Sequence, residues 1–323
     1  MKKSEIESYV KAGEIAKEVK KFARGMIKPG VKLINIADAV DAKIVELGGE
    51  AAFPVNLSLN EVAAHYTPAP GDEKIAEGIL KVDIGVCVDG FIADTAFSVD
   101  LTENGKFKEM MELNEKILEE ISKVVKSGME VREVGNAAQD VLEEFNSSRE
   151  VRSQKSEVRK KYSIIKSLSG HELGRNNIHA GLTFSNYRNE NRRVVEDMAF
   201  AIEPFVTTGI GDIYEGPTGG IYVLQSEENV RDRDSREVLK FIREKFVGRP
   251  FCLRWIAKAS SSLVAGILSV VKLKFILGEM VKSGILHEYP MLIEKSRAPV
   301  SQFENTFVVS DGKVLGTTGD GKV

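Results

Sequence analysis

Two aspartates lie within residues 80–99, a run of mainly apolar and β-branched residues with the sequence LKVDIGVCVDGFIADTAFSV. The Asp-Gly dipeptide at residues 89–90 favours a two-residue hairpin turn, which predicts two antiparallel strands with Gly85 opposite Asp94. Because side chains alternate between the two faces of a strand, Asp83 and Asp94 fall on one face at diagonal positions roughly 7 Å apart. The hairpin therefore predicts two carboxylates that can act together.

Burying two carboxylates among apolar residues is costly unless a cation lies between them. The alternative is that this face of the hairpin is exposed to water and both acids are simply hydrated. The hairpin alone does not distinguish these interpretations, so the choice depends on the other acids and histidines of the chain.

Two glutamates interrupt other strand-like segments. Glu203 lies in residues 199–207, AFAIEPFVT, and is followed by Pro204, while Glu304 lies in residues 301–309, SQFENTFVV. Taken singly, each glutamate could face solvent or be ion-paired. Taken with the two aspartates and a histidine, they form a set of four carboxylates and one imidazole, which resembles the ligands of a site for two divalent metal ions.

Three of the four histidines lie in glycine-rich or loop-like segments beside predicted strands, namely His65, His171 and His179. Two of them are only eight residues apart and set among glycines, which favours a functional role. A lone histidine is more often structural, and this is the role we expect for His287, which follows a helical stretch.

The composition indicates a globular, soluble protein. The chain has 323 residues, of which 42% are hydrophobic, so it can bury a sizeable core. Its net charge of −3 gives no bulk electrostatic reason to expect nucleic-acid or membrane binding. The two cysteines form no disulfide framework, no signal peptide is evident and no apolar run is long enough to span a membrane. We therefore expect a cytoplasmic protein, with a monomer as the default.

A helix pair occurs twice along the chain, at an offset of 98 residues. Residues 30–36, GVKLINI, align with residues 128–134, GMEVREV, and each copy reads as helix, glycine turn and helix followed by strand-like segments. This pattern predicts an α+β fold with two related halves, each made of two helices and antiparallel strands. Chance similarity between two amphipathic helix pairs is the alternative.

A change in composition marks a helical segment in the second half. Residues 232–286 read as helical and contain the only tryptophan, Trp255, which we expect to anchor a core. The sequence therefore predicts a main α+β domain that begins with residues 1–231 and ends with residues 287–323, interrupted by a helical insert at residues 232–286.

Five motifs carry a family resemblance, in order and spacing: FPVNLSLNEVAAHYTP, KVDIGVCVDGFIADTA, SGHELGRNNIHAG, AIEPF and YPMLIEKSRAPVSQFENT. Over essentially its full length the chain resembles type II methionine aminopeptidases, in their archaeal form. The helical insert is similar to the one that separates type II from type I enzymes. The resemblance implies a pita-bread (creatinase/aminopeptidase) fold, which is α+β with two pseudo-symmetric halves around a central site.

The resemblance also implies two divalent metal ions, Co²⁺, Mn²⁺, Fe²⁺ or Zn²⁺. Asp83 would bind one ion, and Asp94 and Glu304 would bridge both. His171 and Glu203 would complete the shell of the second. Glu203 would also take a proton from the attacking water and pass it to the leaving amine.

Two histidines and an apolar pocket would contact the substrate. His179 would help to stabilise the developing oxyanion, and His65 would hold the scissile amide. The resemblance points to four residues as walls of a methionine pocket: Phe53, Ile178, Tyr289 and Leu292. The implied reaction is removal of the initiator methionine from nascent polypeptides whose second residue is small.

The chain departs from the family pattern at two positions. Asn305 follows the last glutamate, where many members have histidine, and Ser169 stands two residues before His171, where asparagine is common. Both are expected beside the ligands, where they would affect metal affinity or turnover. Cys87 shares a strand face with Asp83, and we expect a small packed residue there rather than a ligand.

Two alternative functions remain open. A prolidase or proline aminopeptidase shares the ligand types, although such relatives usually carry a separate N-terminal domain. A non-catalytic homologue that binds ribosomes or RNA would have lost metal ligands, whereas all five are present here. Residues 149–161 carry six basic and two acidic residues, which reads as a solvated surface segment or as a contact with RNA or the ribosome.

Overall fold

The structure, a computed structural model, describes residues 1–152, 161–263 and 269–319. Within these ranges there are seven helices: α1 (Lys3–Met26), α2 (Leu33–Glu46), α3 (Lys108–Val124), α4 (Arg132–Arg152), α5 (Arg233–Phe246), α6 (Leu253–Leu263) and α7 (Val270–Lys282). Most of residues 149–161 lie outside the described residues, so the basic segment predicted there has no structural account. No helix among the described residues is long and apolar enough to cross a membrane.

The described strands all pair antiparallel and form four sheets. They are β1 (Glu50–Ala51), β2 (Asn56–Leu59), β3 (Val62–Ala64), β4 (Ile79–Val88), β5 (Phe91–Asp100), β6 (Ser163–Ile164), β7 (Gly170–Leu173), β8 (Thr183–Phe184), β9 (Met198–Ile202), β10 (Phe205–Thr207), β11 (Ile213–Leu224), β12 (Phe251–Cys252), β13 (Leu286–Glu294), β14 (Val300–Gln302), β15 (Asn305–Ser310) and β16 (Lys313–Gly316).

The central hairpin, β4–β5, has the register that the sequence predicts. Gly85 pairs with Asp94 across the two strands. Asp89 and Gly90 form the turn with φ of 53° and 89°, the positive values that a two-residue turn of the primed type requires. Because the register holds, Asp83 and Asp94 project from the same face of the sheet.

The two halves repeat the same local connections, which confirms the predicted duplication. Gly30 ends the α1 turn with φ 84°, and Gly128 ends the α3 turn with φ 82°. Four residues before β4, Ile75 bridges to the turn before α2. Four residues before β9, Val194 bridges in the same way to the turn before α4. The helices α1–α4 pack against β4, β5 and β9 in the largest cluster of buried apolar residues.

Helices α5–α7 lie between β11 and β13 and share a second buried apolar cluster, with the short strand β12 paired to β11. Trp255 packs against this cluster, as predicted for a core anchor, and its Nε1 donates to Asp41 Oδ2 of α2 at 2.6 Å. Arg254 lies beside it and donates to the same carboxylate at 2.8 Å. The helical segment is therefore tied to α2 by buried polar contacts, while its treatment as a separate insert stays a prediction.

Candidate metal centre

Glu203 and Glu304 each occupy a break between two strands. Strand β9 ends at Ile202 and β10 begins at Phe205, so Glu203 and Pro204 lie between them, while Glu304 lies between β14 and β15. On one side of these breaks β9 pairs with β15, and on the other side β10 pairs with β14. The two glutamates therefore meet where paired strands pass from one sheet to another.

The other three predicted ligands reach this junction from neighbouring strands. Strand β5 is joined to β15, because the Asp94 N–H donates to Thr306 Oγ1 at 2.8 Å and that hydroxyl donates back to Asp94 O at 2.7 Å. His171 on β7 pairs with Ala201 of β9, next to the first break. Asp83 reaches the same space from β4, two residue pairs along the hairpin from the Gly85–Asp94 pair.

The five side chains converge. His171 Nε2 lies 3.7 Å from Asp94 Oδ2 and 3.8 Å from Glu203 Oε1. One ligand atom from each of Asp94, His171 and Glu304 lies within 4.8 Å of the others, which is a spacing that a bound metal ion can bridge. Asp83 and Glu203 line the same cavity of about 230 Å³ as Asp94 and His171. The structure thus brings together every residue that the sequence suggested as a ligand.

The donor set fits divalent ions because several oxygens of these carboxylates are buried without a partner among the described residues. Asp83 Oδ1, Asp94 Oδ1 and both carboxylate oxygens of Glu304 are buried and have no hydrogen-bond partner among the described residues. Among those residues, no lysine or arginine lines the cavity. Buried carboxylates without a protein cation are strongly destabilised unless they are protonated or bind a metal.

Burial and mutual repulsion raise the pKa of these acids. Desolvation raises the pKa of Asp83 to about 7, although hydrogen bonds from Asp94 and Gln302 oppose the shift. The pKa values of Asp94, Glu203 and Glu304 lie well above their usual range, first because of desolvation and then because of neighbouring carboxylates. Such groups attract divalent cations.

The imidazoles of the cavity are neutral near pH 7. Desolvation and the nearby His179 lower the pKa of His171 to about 3, and neutral imidazole is the form that binds metal. The rings of His171 and His179 lie edge to face at 4.5 Å. Burial and His179 also lower the pKa of His65 to about 4, and its ring lies 5.3 Å from that of Tyr289. Both His65 and His179 face the cavity, next to the acids but outside their cluster.

All four predicted walls of the pocket line this cavity: Phe53, Ile178, Tyr289 and Leu292. Sequence reasoning assigned no lining role to seven further residues, which are Asn56, Ala64, Ser167, Leu168, Phe205, Ile221 and Pro250. Phe205 directly follows the Glu203-Pro204 break and is the last residue of the AIEPF motif, so its place in the cavity could have been predicted from that motif. Ile221 and Pro250 carry no local pattern, because the folding of β11 and the segment before β12 brings them there.

The two departures from the family pattern lie in different places. Ser169 lines the cavity, as expected. Asn305 does not: its Oδ1 accepts from Thr318, and it lines a separate surface depression with Lys20 and Arg24. The expectation that Asn305 lies beside the ligands is therefore wrong, because the strand turns that side chain away from Glu304.

The remaining cysteine and histidine predictions concern packing. Cys87 is buried among apolar residues that include Phe53 and Ile178, as predicted for a packed residue. His287 lies in β13, and its ring contacts Tyr289 at 4.7 Å, outside the set of residues that lines the cavity. Neither residue joins the candidate ligands.

Comparisons with known proteins agree with this geometry. Residues 7–238 match the family described as Metallopeptidase family M24. A methionine aminopeptidase of Pyrococcus horikoshii is 39% identical over 319 residues, which are 97% of this chain and 99% of that protein. One of Thermococcus kodakarensis is 40% identical over 311 residues, which are 94% of this chain and 96% of that protein.

Solved structures share the fold at lower identity. The methionine aminopeptidase of Thermotoga maritima aligns with a TM-score of 0.65 at 19% identity, over 99% of this chain and 98% of that one. This likeness confirms the α+β pita-bread fold. With the family match and the close relatives above, it shows that the chain belongs to metallopeptidase family M24, as its motifs predicted.

Proposed function

We propose that this chain is a metal-dependent methionine aminopeptidase that removes the initiator methionine from nascent polypeptides with a small second residue. The observation that carries the proposal is the convergence of two buried and two half-buried carboxylates and a neutral imidazole on a cavity with an apolar wall. The names of the relatives that match over nearly the full chain support the same activity.

The ligands would be divided between two ions as the family resemblance implies. Asp83 would hold one ion, Asp94 and Glu304 would bridge, and His171 and Glu203 would hold the second. When bound, the ions would supply the Lewis acidity that activates water for attack at neutral pH. Mn²⁺, Fe²⁺, Co²⁺ and Zn²⁺ all suit carboxylate and imidazole ligands.

Glu203 is the candidate proton carrier. Its Oε2 accepts from Gln302 Nε2 at 3.4 Å, and its Oε1 faces His171 across the cavity. A carboxylate with a raised pKa can accept a proton and return it to a leaving amine. His65 and His179, both neutral and facing the cavity, would orient the scissile amide and donate to its oxygen.

The shape and charge of the cavity suit an N-terminal methionine. The acids favour the free α-ammonium group of a substrate, and the rings of Phe53 and Tyr289 with Ile178 and Leu292 provide an apolar wall for its side chain. A pocket of this kind discriminates against polar or larger first residues by a few kcal/mol, about 1–3 for each methylene.

The proposal also concerns partners and location. Nascent N-termini would be the substrates, in the cytoplasm, with the chain acting as a monomer. The six basic residues of segment 149–161 favour an additional contact with the ribosome. A binding assay with purified ribosomes, using the chain with those basic residues replaced, tests this contact separately from catalysis.

The activity is tested with a Met-Ala-Ser peptide and the Glu203→Gln variant. The native chain loaded with Mn²⁺, Co²⁺ or Fe²⁺ should release methionine, and the variant should retain metal but lose turnover roughly 10²–10⁴-fold. Glu61→Gln is the matched control, since Glu61 pairs with Arg297 at the surface, away from the cavity. Cleavage of an X-Pro peptide instead would indicate a prolidase, and no cleavage by the loaded native chain would favour a non-catalytic homologue.

A further inference from the structure

His65 stands in a backbone conformation that is uncommon for its residue type. Strand β3 ends at Ala64, and His65 follows with φ 67°, in the left-handed region. Residues other than glycine occupy this region rarely, and when they do the surrounding structure must hold them there. This turn directs the imidazole into the cavity instead of along the strand.

The side chain of Asn56 provides one of the supports. Its Oδ1 accepts a hydrogen bond from the His65 backbone N–H at 2.8 Å, and its Nδ2 donates to Pro54 O at 3.1 Å. Asn56 is 4% exposed, lines the cavity and pairs with Asp83 across β2 and β4. One buried amide therefore joins the His65 turn to the segment that carries the Phe53 wall.

The backbone that follows His65 is held by hydrogen bonds between backbone groups. Leu57 N–H donates to Tyr66 O at 2.7 Å, and Thr67 N–H donates to Gly219 O at 3.0 Å. Gly219 packs so closely that a Cβ there would lie 1.6 Å from His65 O. The peptide that follows His65 is thus fixed by backbone contacts, whereas the N–H of the peptide that precedes it donates to the Asn56 side chain.

We propose that Asn56 is a positioning residue that orients His65 toward the substrate. This inference rests on the proposed aminopeptidase function, because it assigns Asn56 a role in that same site. Asn56 acts through the backbone of His65 and the Pro54 carbonyl.

The kinetic test compares Asn56→Ala with a matched control, Asn60→Gly. Asn60 Oδ1 accepts from the Ile79 N–H at 3.2 Å in the same β2–β3 segment, but Asn60 does not line the cavity. Its φ is 49°, so glycine removes the hydrogen bond without adding strain. Asn56→Ala should lower kcat on a Met-Ala-Ser peptide about tenfold, with KM within about twofold, and Asn60→Gly should leave both nearly unchanged.

A double-mutant cycle separates positioning from general stability. If Asn56 acts through His65, Asn56→Ala should cost little in a His65→Ala background. An equal loss of kcat in both backgrounds would overturn the proposal. Circular dichroism and thermal unfolding check that the variants fold, and Asn56→Ser replaces Asn56→Ala if the latter does not.

A second readout does not depend on activity. The Cε1–Hε1 resonance of His65, in metal-free protein with labelled histidine, should shift in Asn56→Ala and stay in place in Asn60→Gly. An unchanged resonance in Asn56→Ala contradicts the proposal. If the native chain cleaved no Met peptide, the proposed function would fail, and this resonance would still decide whether Asn56 orients His65.

Discussion

Arg254→Met should destabilise the protein strongly, because Arg254 is a buried cation that joins α6 to α2. Its side chain is 2% exposed, donates to Asp41 at 2.8 Å and to Pro68 O at 2.8 Å, and lies 3.1 Å from Asp38. Removing one partner of a buried ion pair costs about 3–5 kcal/mol. Here the Asp41 carboxylate would lose its cation and keep the Trp255 N–H as a donor. At an unfolding entropy of about 2.1 cal/mol/K per residue, that destabilisation lowers the melting temperature of a 323-residue chain by roughly 4–7 °C.

Lys258→Met is the matched control, since Lys258 pairs with the same Asp38 but its side chain is 55% exposed. An exposed pair contributes about 0–1 kcal/mol, so this change should barely move the melting temperature. Thermal unfolding of both variants and the native chain, in the same excess of divalent metal, measures the difference. Equal, small shifts for the two variants would refute the reasoning that the buried guanidinium ties α6 to α2.

Two further perturbations test the site. Burial raises the pKa of Asp83 to about 7, so the folded metal-free protein holds a proton that the unfolded chain, with a pKa of about 4, has released. The free energy of unfolding of metal-stripped protein should therefore fall as pH rises from about 4 to about 7. Bound divalent ions should reverse this fall. A free energy of unfolding that rises over this range in the metal-stripped protein would contradict the prediction. Gly85→Ala should raise KM for Met peptides about tenfold or more, because the added Cβ would lie 2.2 Å from the Phe53 ring. Gly278→Ala is the control and should leave KM unchanged, because Gly278 has open space around it. Equal KM values for the two variants would contradict this packing argument.

The sequence predicted the parts of the fold that local chemistry decides. The Asp-Gly dipeptide set the turn, and the turn set the register that places Asp83 and Asp94 on one face. A charged residue within an apolar stretch drew attention to Glu203 and Glu304, and in the structure both lie at breaks between strands. The repeat was recognisable because each helix pair needs a glycine of positive φ at the same point.

Residues that tertiary packing brings to the cavity could not be predicted in the same way. Ile221 and Pro250 reach the cavity only after β11 pairs with β13 on one side and with β12 on the other. The sequence around each of them has no pattern that predicts this position. Asn56 lies inside the FPVNLSLNEVAAHYTP motif, but its role depends on the left-handed backbone conformation of His65. The local sequence does not predict that conformation. Asn305 was expected beside the ligands because it follows Glu304, but successive side chains of a strand point to opposite faces, and Asn305 Oδ1 accepts from Thr318 instead.

Metal stoichiometry tests the central claim most directly. Isothermal titration of metal-stripped protein with Mn²⁺, checked by elemental analysis, should give two ions per chain. Glu304→Gln should weaken or abolish this binding, because both oxygens of Glu304 are buried without a hydrogen-bond partner among the described residues and one of them lies within 4.8 Å of ligand atoms of Asp94 and His171. Two ions in the native chain and fewer in the variant are the predicted result. No bound metal in the native chain, or unchanged binding in Glu304→Gln, would contradict a metal centre built from these five side chains.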